Sequence, residues 1–406
     1  MSRWSGRETS PIFYGWVILA AASVIAIVCH GMQYSFGVFL KPLSEGLDWV
    51  RPLTAGAAST YYLCRAAASI SMGGLSDRVG PRVVVGLGGL LVGSGMMLGG
   101  LIKSPWHLYL FYGMLVGTGM GTAYTPLSAT VARWFEQRRG FALGVVEASC
   151  GGGGFLFAPI SGYLIVAYGW SLAYVIVGFV ALVFILSGAW FLKRGPELKP
   201  LTAPVPDPAG TAGGLTLRRA FGLGRYWALV LLSFVLGLAQ FTVLTNIVAH
   251  ATDHGVGELQ APFLVSIIGA VWVVGSLGLG ALSDRFGGRP LLLLGAMVFA
   301  LCVMSLNLTA DFGLLCFLMA VAGLFLGGAW VVVAKIIAEL FGLRAIGAIW
   351  GSVLTLMLVG AAVGAVVPNI IYQLTQPHSY AVAFWMVGGM VLAGVGIFFL
   401  STRRIG

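Results

Sequence analysis

The stretch GGLSDRVGPR, at residues 73–82, occurs twice in this chain: it returns as GALSDRFGGR at residues 280–289, 207 positions later. Offsets of 207 or 206 also relate Gln33 to Gln240, Gly144 to Gly351, Tyr124 to Trp330, and Phe135 to Phe341. One recurring motif can arise by chance, whereas several matches at nearly one spacing indicate an internal duplication. The sequence therefore predicts two structurally similar halves.

The composition indicates a polytopic membrane protein. Of the 406 residues, 59% are hydrophobic and only 9% are charged, whereas a soluble domain has about 25% charged residues. A helix of about 20 apolar residues crosses the ~30 Å hydrocarbon core. Twelve stretches meet that requirement: 13–40, 54–75, 83–103, 107–131, 140–166, 170–192, 226–250, 260–282, 290–309, 313–338, 345–374 and 380–400. We predict an all-α membrane protein with twelve transmembrane helices in two pseudo-symmetric six-helix halves.

The distribution of charge predicts the orientation of the chain. If both termini are cytoplasmic, eighteen of the 23 Lys and Arg residues lie on the inner side. This excess follows the positive-inside rule, so the net charge of +10 requires no nucleic-acid partner. We expect a multi-pass protein of the plasma (inner) membrane with both termini cytoplasmic.

The five cysteines lie in apolar segments without C-x-x-C spacing, which predicts neither a disulfide framework nor a zinc site.

One long polar interruption divides the chain. Residues 194–225 are dominated in their middle by Pro, Ala and Gly, which is typical of a linker, here expected to be cytoplasmic. The predicted organisation is therefore an N-terminal six-helix half at 1–193, a linker at 194–225 and a C-terminal six-helix half at 226–406. Parallel repeats of this kind are a transporter architecture, with the substrate site near the midplane between the halves.

The repeated motif also carries a family resemblance. Both copies resemble the G-x-L-x-D-R-x-G-R-R signature found after the second and eighth spans of the major facilitator superfamily. The first span, FYGWVILAAASVIAIVCHGMQYSFGVFLKPL, is similar to that of bacterial monocarboxylate porters and oxalate/formate exchangers. The resemblance covers essentially the whole chain and implies a secondary transporter that works by alternating access.

The motif copies supply a candidate gating site, formed by Gly73, Asp77, Arg78, Arg82, Gly280, Asp284, Arg285 and Arg289. The glycines permit close approach of helices. The charges lie together at the inner ends of the spans, where they can latch the halves and must separate as the halves rock. The alternative is that these charges only set the topology.

Three ionisable residues, Arg65, Glu147 and Lys335, lie well inside predicted spans. At the bilayer centre such groups cost at least about 2.5–3.5 kcal/mol, so each is a candidate functional residue. Arg65 precedes Asp77 by twelve residues, about 18 Å of helix, which places it near the midplane. Its guanidinium can anchor a carboxylate; alternatively, it is a structural Arg paired with carbonyl groups or an acid.

Lys335 and Glu147 each have two interpretations. Lys335 is either a second contact for the anion or a structural cation that pairs with Glu339, one turn away, or snorkels. Glu147 either carries a transported proton, since burial favours the neutral carboxyl, or forms an internal salt bridge to Lys335 or Arg65. With Glu147 ionised, the three charges sum to +1, which suits a monoanion. Protonation of Glu147 would then strengthen anion binding and couple it to protons.

The uncharged candidates lie on spans that line the central cavity in facilitator-type folds, as the resemblance implies: Gln33, Tyr34, Tyr124, Gln240, Asn246 and Trp330. Tyr124 and Trp330 lie at matching depths and can sandwich a small planar substrate, or they simply pack against their neighbours.

Candidates for proton coupling in the outer parts of the first and seventh spans are His30, His250 and Lys41. Lys41 resembles a lysine of monocarboxylate porters that takes part in substrate and proton entry. The alternative for the two histidines is an interfacial hydrogen-bonding role, and for Lys41 it is an interfacial anchor.

The family pattern fails at the substrate-binding cations. Relatives usually place an Arg in the eighth span, where this chain has Ser276, and oxalate exchangers carry a Lys in the eleventh, which is uncharged here as GSVLTLMLVGAAVGAVV. Arg65 is the candidate replacement for the missing cation.

We therefore expect a secondary active transporter of a small, monocarboxylate-type organic anion that works by proton symport. It is expected to need no cofactor, to contact membrane lipid and to act as a monomer. The alternatives are an oxalate/formate-type exchanger that uses a counter-anion, an exporter of hydrophobic compounds, and a membrane sensor that does not transport. The sequence lacks a nucleophile–base pair, a metal cluster and a nucleotide loop, so we predict no enzyme and no catalytic residue.

Overall fold

The computed structural model describes residues 13–135, 138–194, 216–342 and 346–403, which fold into α-helices joined by short connections. The first half contains α1 (Tyr14–Gly46), α2 (Arg51–Val79), α3 (Pro81–Gly99), α4 (Pro105–Leu108), a π-helical segment (Tyr109–Val116), α5 (Gly117–Trp134) and α6 (Arg139–Phe191). A short helix, α7 (Leu217–Phe221), follows. The second half contains α8 (Gly224–Asp253), α9 (Pro262–Phe286), α10 (Gly288–Ser305), α11 (Phe312–Phe341), α12 (Ile346–Leu374) and α13 (Ala381–Thr402).

These helices make up the twelve predicted spans. The first-half segments from α4 to α5 run without a break and form one span. The 53 residues of α6 would be about 80 Å long if straight, far more than one bilayer crossing. Gly169, with φ of 80°, interrupts this helix and divides it into two spans.

Nine helices of the described ranges are long and apolar enough to cross a membrane, with α6 counted once. Helix α2, which carries Arg65, and helix α5 are not among them. The predicted linker falls largely on residues 195–215, which lie outside the described part of the chain.

The duplication is visible in the backbone at the two motif copies. Gly80 ends α2 with φ of 97°, and its N–H donates to the Ser76 carbonyl at 3.0 Å. Gly287 ends α9 with φ of 84°, and its N–H donates to the Ser283 carbonyl at 3.0 Å. Glycine adopts this left-handed region without a steric penalty. The prediction of two pseudo-symmetric halves is thus confirmed at the same offset of 207 residues that the sequence shows.

The halves meet along three pairs of helices: α1 with α8, α2 with α12, and α6 with α9. Between α2 and α12, the Ser59 hydroxyl donates to the Ala362 carbonyl at 2.5 Å. Between α6 and α9, a methyl group on Gly269 would lie only 2.4 Å from the Gly151 carbonyl oxygen. Backbone approach this close requires glycine, so the two halves are in tight contact at this crossing.

Candidate functional site

Arg65 lies at the centre of α2, fourteen residues from each end of the helix and thus about 21 Å from either. Its side chain is buried, with 9% of the residue exposed, and it donates to the Gln33 Oε1 atom on α1. Tyr61 donates to the same oxygen at 3.3 Å. The Arg65 Cζ atom lies 5.8 Å from the centre of the Tyr124 ring.

The partners that fix Arg65 are therefore neutral. The ion pairs found in the described part of the chain lie elsewhere, and none of them includes Arg65. A guanidinium has five N–H donors, of which Gln33 takes one. Burial of a charge is costly unless it is paired and hydrogen-bonded. Arg65 is therefore a buried cation that forms no ion pair among the described residues.

Glu147, on α6, is held beside Arg65 by Tyr124. The Tyr124 hydroxyl donates to Glu147 Oε2 at 3.2 Å and lies 3.5 Å from the Cys150 sulfur. The Glu147 carboxylate is close enough to Arg65 to interact with it electrostatically, yet the two form no direct ion pair. Neither of the salt bridges considered from the sequence, to Arg65 or to Lys335, is among the ion pairs of the described residues.

His30 completes this group on the α1 side. Its ring packs edge-on against the Tyr124 ring at 4.7 Å and lies 5.9 Å from the Tyr34 ring. His30 Nδ1 lies 3.1 Å from the Ala26 carbonyl oxygen, which can only accept, so Nδ1 carries the proton and donates. We call Gln33, Arg65, Tyr124, Glu147 and His30 the central cluster.

The second half places its own glutamine at the equivalent position of α8. Gln240 Oε1 accepts a hydrogen bond from the Trp330 indole at 3.1 Å. In the first half, Gln33 accepts in the same way from Arg65. Tyr124 and Trp330 are thus each bonded within their own half, and their role as a pair that clamps a substrate remains a prediction.

Asn246 belongs to a buried polar network of the second half. Its Nδ2 donates to the Thr242 carbonyl at 2.9 Å, and its Oδ1 accepts from Asn369 at 2.7 Å. Asn369 Oδ1 accepts in turn from the Tyr380 hydroxyl at 2.9 Å. The network extends from the middle of α8 to the start of α13, where it reaches Arg51 of the first half, 3.2 Å from the Tyr380 oxygen.

Arg51, Lys41 and Asp253 form an ion-pair cluster that we call the latch, and we call that end of the molecule the latch end. Arg51 bonds both carboxylate oxygens of Asp253, at 2.5 and 2.8 Å, and Lys41 Nζ lies 3.0 Å from Oδ1. Arg51 also stacks over the Tyr372 ring at 4.4 Å. Because Arg51 and Lys41 belong to the first half and Asp253 to the second, the latch joins the halves.

Lys335 and His250 lie away from the central cluster. Lys335 Nζ donates to the Ser283 carbonyl at 2.8 Å, near the end of α9, where a cation complements the helix terminus. The pairing with Glu339 considered from the sequence is not among the ion pairs of the described residues, and a role of Lys335 in substrate binding remains a prediction. His250 Nε2 lies 3.2 Å from the Leu306 carbonyl oxygen, and its ring packs against that of His254 at 4.3 Å.

The motif residues lie at the opposite end, which we call the motif end. Arg82 stacks over the Trp190 ring at 3.6 Å, and Arg289 donates to the Phe399 carbonyl at 3.1 Å. Each arginine thus ties the start of the third span of its half to the end of the sixth. The side chains of Asp77 and Asp284 lie outside the described part of the structure, so their gating role remains a prediction.

Two features of the site were missed by the sequence reasoning. Arg51 and Asp253 form an ion pair although they are 202 positions apart in the sequence. No local sequence pattern predicts a pairing over that separation. Trp272, on α9, is 3% exposed and lies against the Tyr34 ring at 6.4 Å. The signal for Trp272 was present, since the offset of 207 that relates the motif copies also relates Arg65 to Trp272.

The sequence model of the Major Facilitator Superfamily matches residues 22–311 and 274–405. This chain belongs to the major facilitator superfamily. The relatives to which it is similar carry the names of transporters and not of enzymes. Monocarboxylate transporter 13 of Rattus norvegicus is 31% identical over 387 residues, which cover 95% of this chain and 88% of the relative. Monocarboxylate transporter 11 of Homo sapiens is 29% identical over 405 residues, 97% of this chain and 84% of the relative.

Solved structures of other facilitators share the fold. An inward-facing, unoccupied bacterial homolog of the human lysosomal transporter Spinster has a TM-score of 0.77 at 16% identity, over 97% of this chain and 98% of that one. A D-xylose-proton symporter has a TM-score of 0.77 at 15% identity, over 95% and 97%. The superfamily assignment and the apolar helices make this facilitator an integral, multi-pass membrane protein that moves a small molecule.

Proposed function

We propose that this facilitator is a secondary active transporter of a small organic monoanion of the monocarboxylate type, driven by proton symport. The observation that carries the proposal is Arg65, a buried cation at mid-helix whose described partners are neutral. A planar guanidinium matches the two oxygens of a carboxylate. The names of the similar monocarboxylate transporters support the same substrate class.

Glu147 is the proposed proton carrier. It is the acid nearest to Arg65 in the central cluster, and Tyr124 touches both residues. With Glu147 ionised, its charge competes with the substrate anion for Arg65. Protonation removes that competition, so proton and anion bind together and the empty transporter returns after both have left.

The orientation of the chain is part of the proposal. We place the motif end, with its many basic residues, at the cytoplasmic face of the plasma membrane and the latch end outside. With this orientation, the contact of the halves at the latch end corresponds to a state closed toward the outside. The latch must open for the substrate to enter from there.

Uptake into proteoliposomes tests the proposal. Purified protein is reconstituted, and entry of labelled acetate, propionate, pyruvate and lactate is measured with and without an inward proton gradient. We expect gradient-dependent accumulation in the wild type and its loss in Arg65→Ala. Arg65→Lys should weaken affinity about tenfold, since a lysine lacks the bidentate geometry. Arg403→Lys, at an exposed end of α13, is the matched control and should behave as wild type.

Two outcomes would contradict the proposal. Accumulation that requires a preloaded anion but no proton gradient would establish the exchanger instead. Undiminished uptake by Arg65→Ala would show that Arg65 is structural. The stability of each variant in detergent is measured in parallel, so that loss of folded protein is distinguished from loss of binding.

A further inference from the structure

Trp272 presents a hydrogen-bond donor that the described protein does not use. Its Nε1 atom is buried and has no hydrogen-bond partner among the described residues, and the whole residue is 3% exposed. A buried donor without a partner costs about 1–3 kcal/mol. Indole N–H groups in buried positions usually find a partner. The structure therefore leaves this donor available to a bound molecule.

The duplication places this donor at the counterpart of Arg65. Arg65 precedes Asp77 of the first motif copy by twelve residues, and Trp272 precedes Asp284 of the second copy by the same number. Both lie on the second helix of their half, α2 and α9, and the halves are related by pseudo-symmetry. Arg65 and Trp272 thus occupy equivalent positions in the two halves.

Trp272 also contacts the first half directly. Its side chain packs against Gly151 of α6, with a methyl group on that glycine placed 3.0 Å from the Trp272 Cβ atom. Its ring lies 6.4 Å from that of Tyr34 on α1. Tyr34 in turn neighbours His30 of the central cluster at 5.9 Å. The indole is therefore separated from the central cluster by one ring, that of Tyr34, and lies across the boundary between the halves.

We propose that Trp272 is a specificity-determining residue whose indole N–H donates to an acceptor oxygen of the substrate outside the carboxylate. This inference rests on the proposed function. A carboxylate held bidentately by Arg65 uses both of its oxygens, which leaves the indole for another acceptor. Because an indole nitrogen only donates, it favours a carbonyl or hydroxyl oxygen over a methylene group. The substrate then bridges the halves, with its carboxylate on the first and its second oxygen on the other.

A matched pair of probes isolates this contact. Pyruvate and propionate have the same chain length and the same carboxylate, but propionate has a methylene group in place of the ketone. Dissociation constants are measured by calorimetry on purified, full-length wild type and on Trp272→Phe, which keeps an aromatic ring and removes the N–H. We expect the wild type to bind pyruvate about tenfold more tightly than propionate. Trp272→Phe should lose that preference and retain its affinity for propionate within about twofold.

Two further variants sharpen the test. Trp272→His, which keeps a ring N–H, should restore part of the preference for pyruvate. Trp385→Phe, on the exposed face of α13, should leave both constants unchanged. Equal weakening of both probes in Trp272→Phe, or no change in either, would overturn the inference.

The wild type alone also provides a test, should Trp272→Phe fail to fold. Equal affinity of the wild type for pyruvate and propionate would refute the role of Trp272 while leaving the proposed function intact. Failure of the wild type to bind any of the carboxylates would instead refute the proposed function, and the inference with it.

Discussion

Arg51 and Asp253 join the two halves of this facilitator through paired hydrogen bonds of 2.5 and 2.8 Å at the latch end. Their side chains are only 11% and 19% exposed, so solvent screens the pair less than it would an exposed one. Lys41 adds a second cation, 3.0 Å from the same carboxylate. A single acid thus balances two bases across the boundary between the halves, and its neutralisation should release both.

Asp253→Asn should open the latch end. The change leaves Lys41 and Arg51 close together without a counter-charge, at a cost of roughly 1–3 kcal/mol to the closed state. Spin labels at Val50→Cys and Glu258→Cys, in a variant without the native cysteines, report the separation of the halves at this end. We expect a larger population of long distances in Asp253→Asn than in the wild type.

The matched control for the latch is Glu45→Gln. Glu45 lies 3.9 Å from Lys41, but its side chain is 64% exposed, and exposed pairs contribute little. The distance distribution should therefore match that of the wild type. If Asp253→Asn also leaves the distribution unchanged, the latch does not hold the halves together.

Gly269→Ala should obstruct the crossing of α6 and α9. The added methyl group would lie 2.4 Å from the Gly151 carbonyl oxygen, and overpacking of this kind costs about 1–3 kcal/mol. We expect the rate of transport to fall about fivefold or more, because the closed arrangement becomes less populated. On the same helix, a methyl group on Gly278 would meet nothing within 4 Å, so Gly278→Ala is the control. Similar rates for the two variants would show that the crossing tolerates bulk.

Glu147→Gln should uncouple transport from protons. The amide keeps the shape and can still accept from Tyr124, but it no longer binds and releases a proton. Accumulation driven by a proton gradient should disappear, while exchange of labelled for unlabelled anion continues. Glu339→Gln, at an exposed position on α11, should retain both activities. Gradient-driven uptake that survives in Glu147→Gln would transfer the coupling role to His30, His250 or Lys41.

Trp330→Ala should weaken substrate binding about three- to tenfold if the ring stacks on a planar anion. Trp330→Phe keeps a ring and loses only the hydrogen bond to Gln240, so its effect should be smaller. Affinity is measured by substrate-induced thermal stabilisation, with Trp385→Ala on the exposed face of α13 as the control. An unchanged affinity in Trp330→Ala would exclude the aromatic clamp and assign Trp330 to packing.

Much of the architecture is determined by the sequence because its signals are local or periodic. Apolar stretches of sufficient length must become helices in a bilayer, where every backbone polar group needs a partner within the protein. The offset of 207 residues shows which positions of the two halves are equivalent. Gly80 and Gly287, which are separated by that offset, both have a positive φ angle at a helix end. The depth of Arg65 follows from helical rise alone, since it precedes Asp77 by twelve residues, about 18 Å of helix.

The partners of those residues were decided only by the tertiary structure. The bond of Arg65 to Gln33, the contact of Lys335 with the Ser283 carbonyl, and the pairing of Arg51 with Asp253 each depend on which helix faces are packed together. Helical periodicity fixes where a side chain lies on its own helix, but not the rotation and separation of the neighbouring one. Trp272 illustrates the same limit: its position could be read from the repeat, whereas the unsatisfied state of its N–H appears only when all of its neighbours are in place.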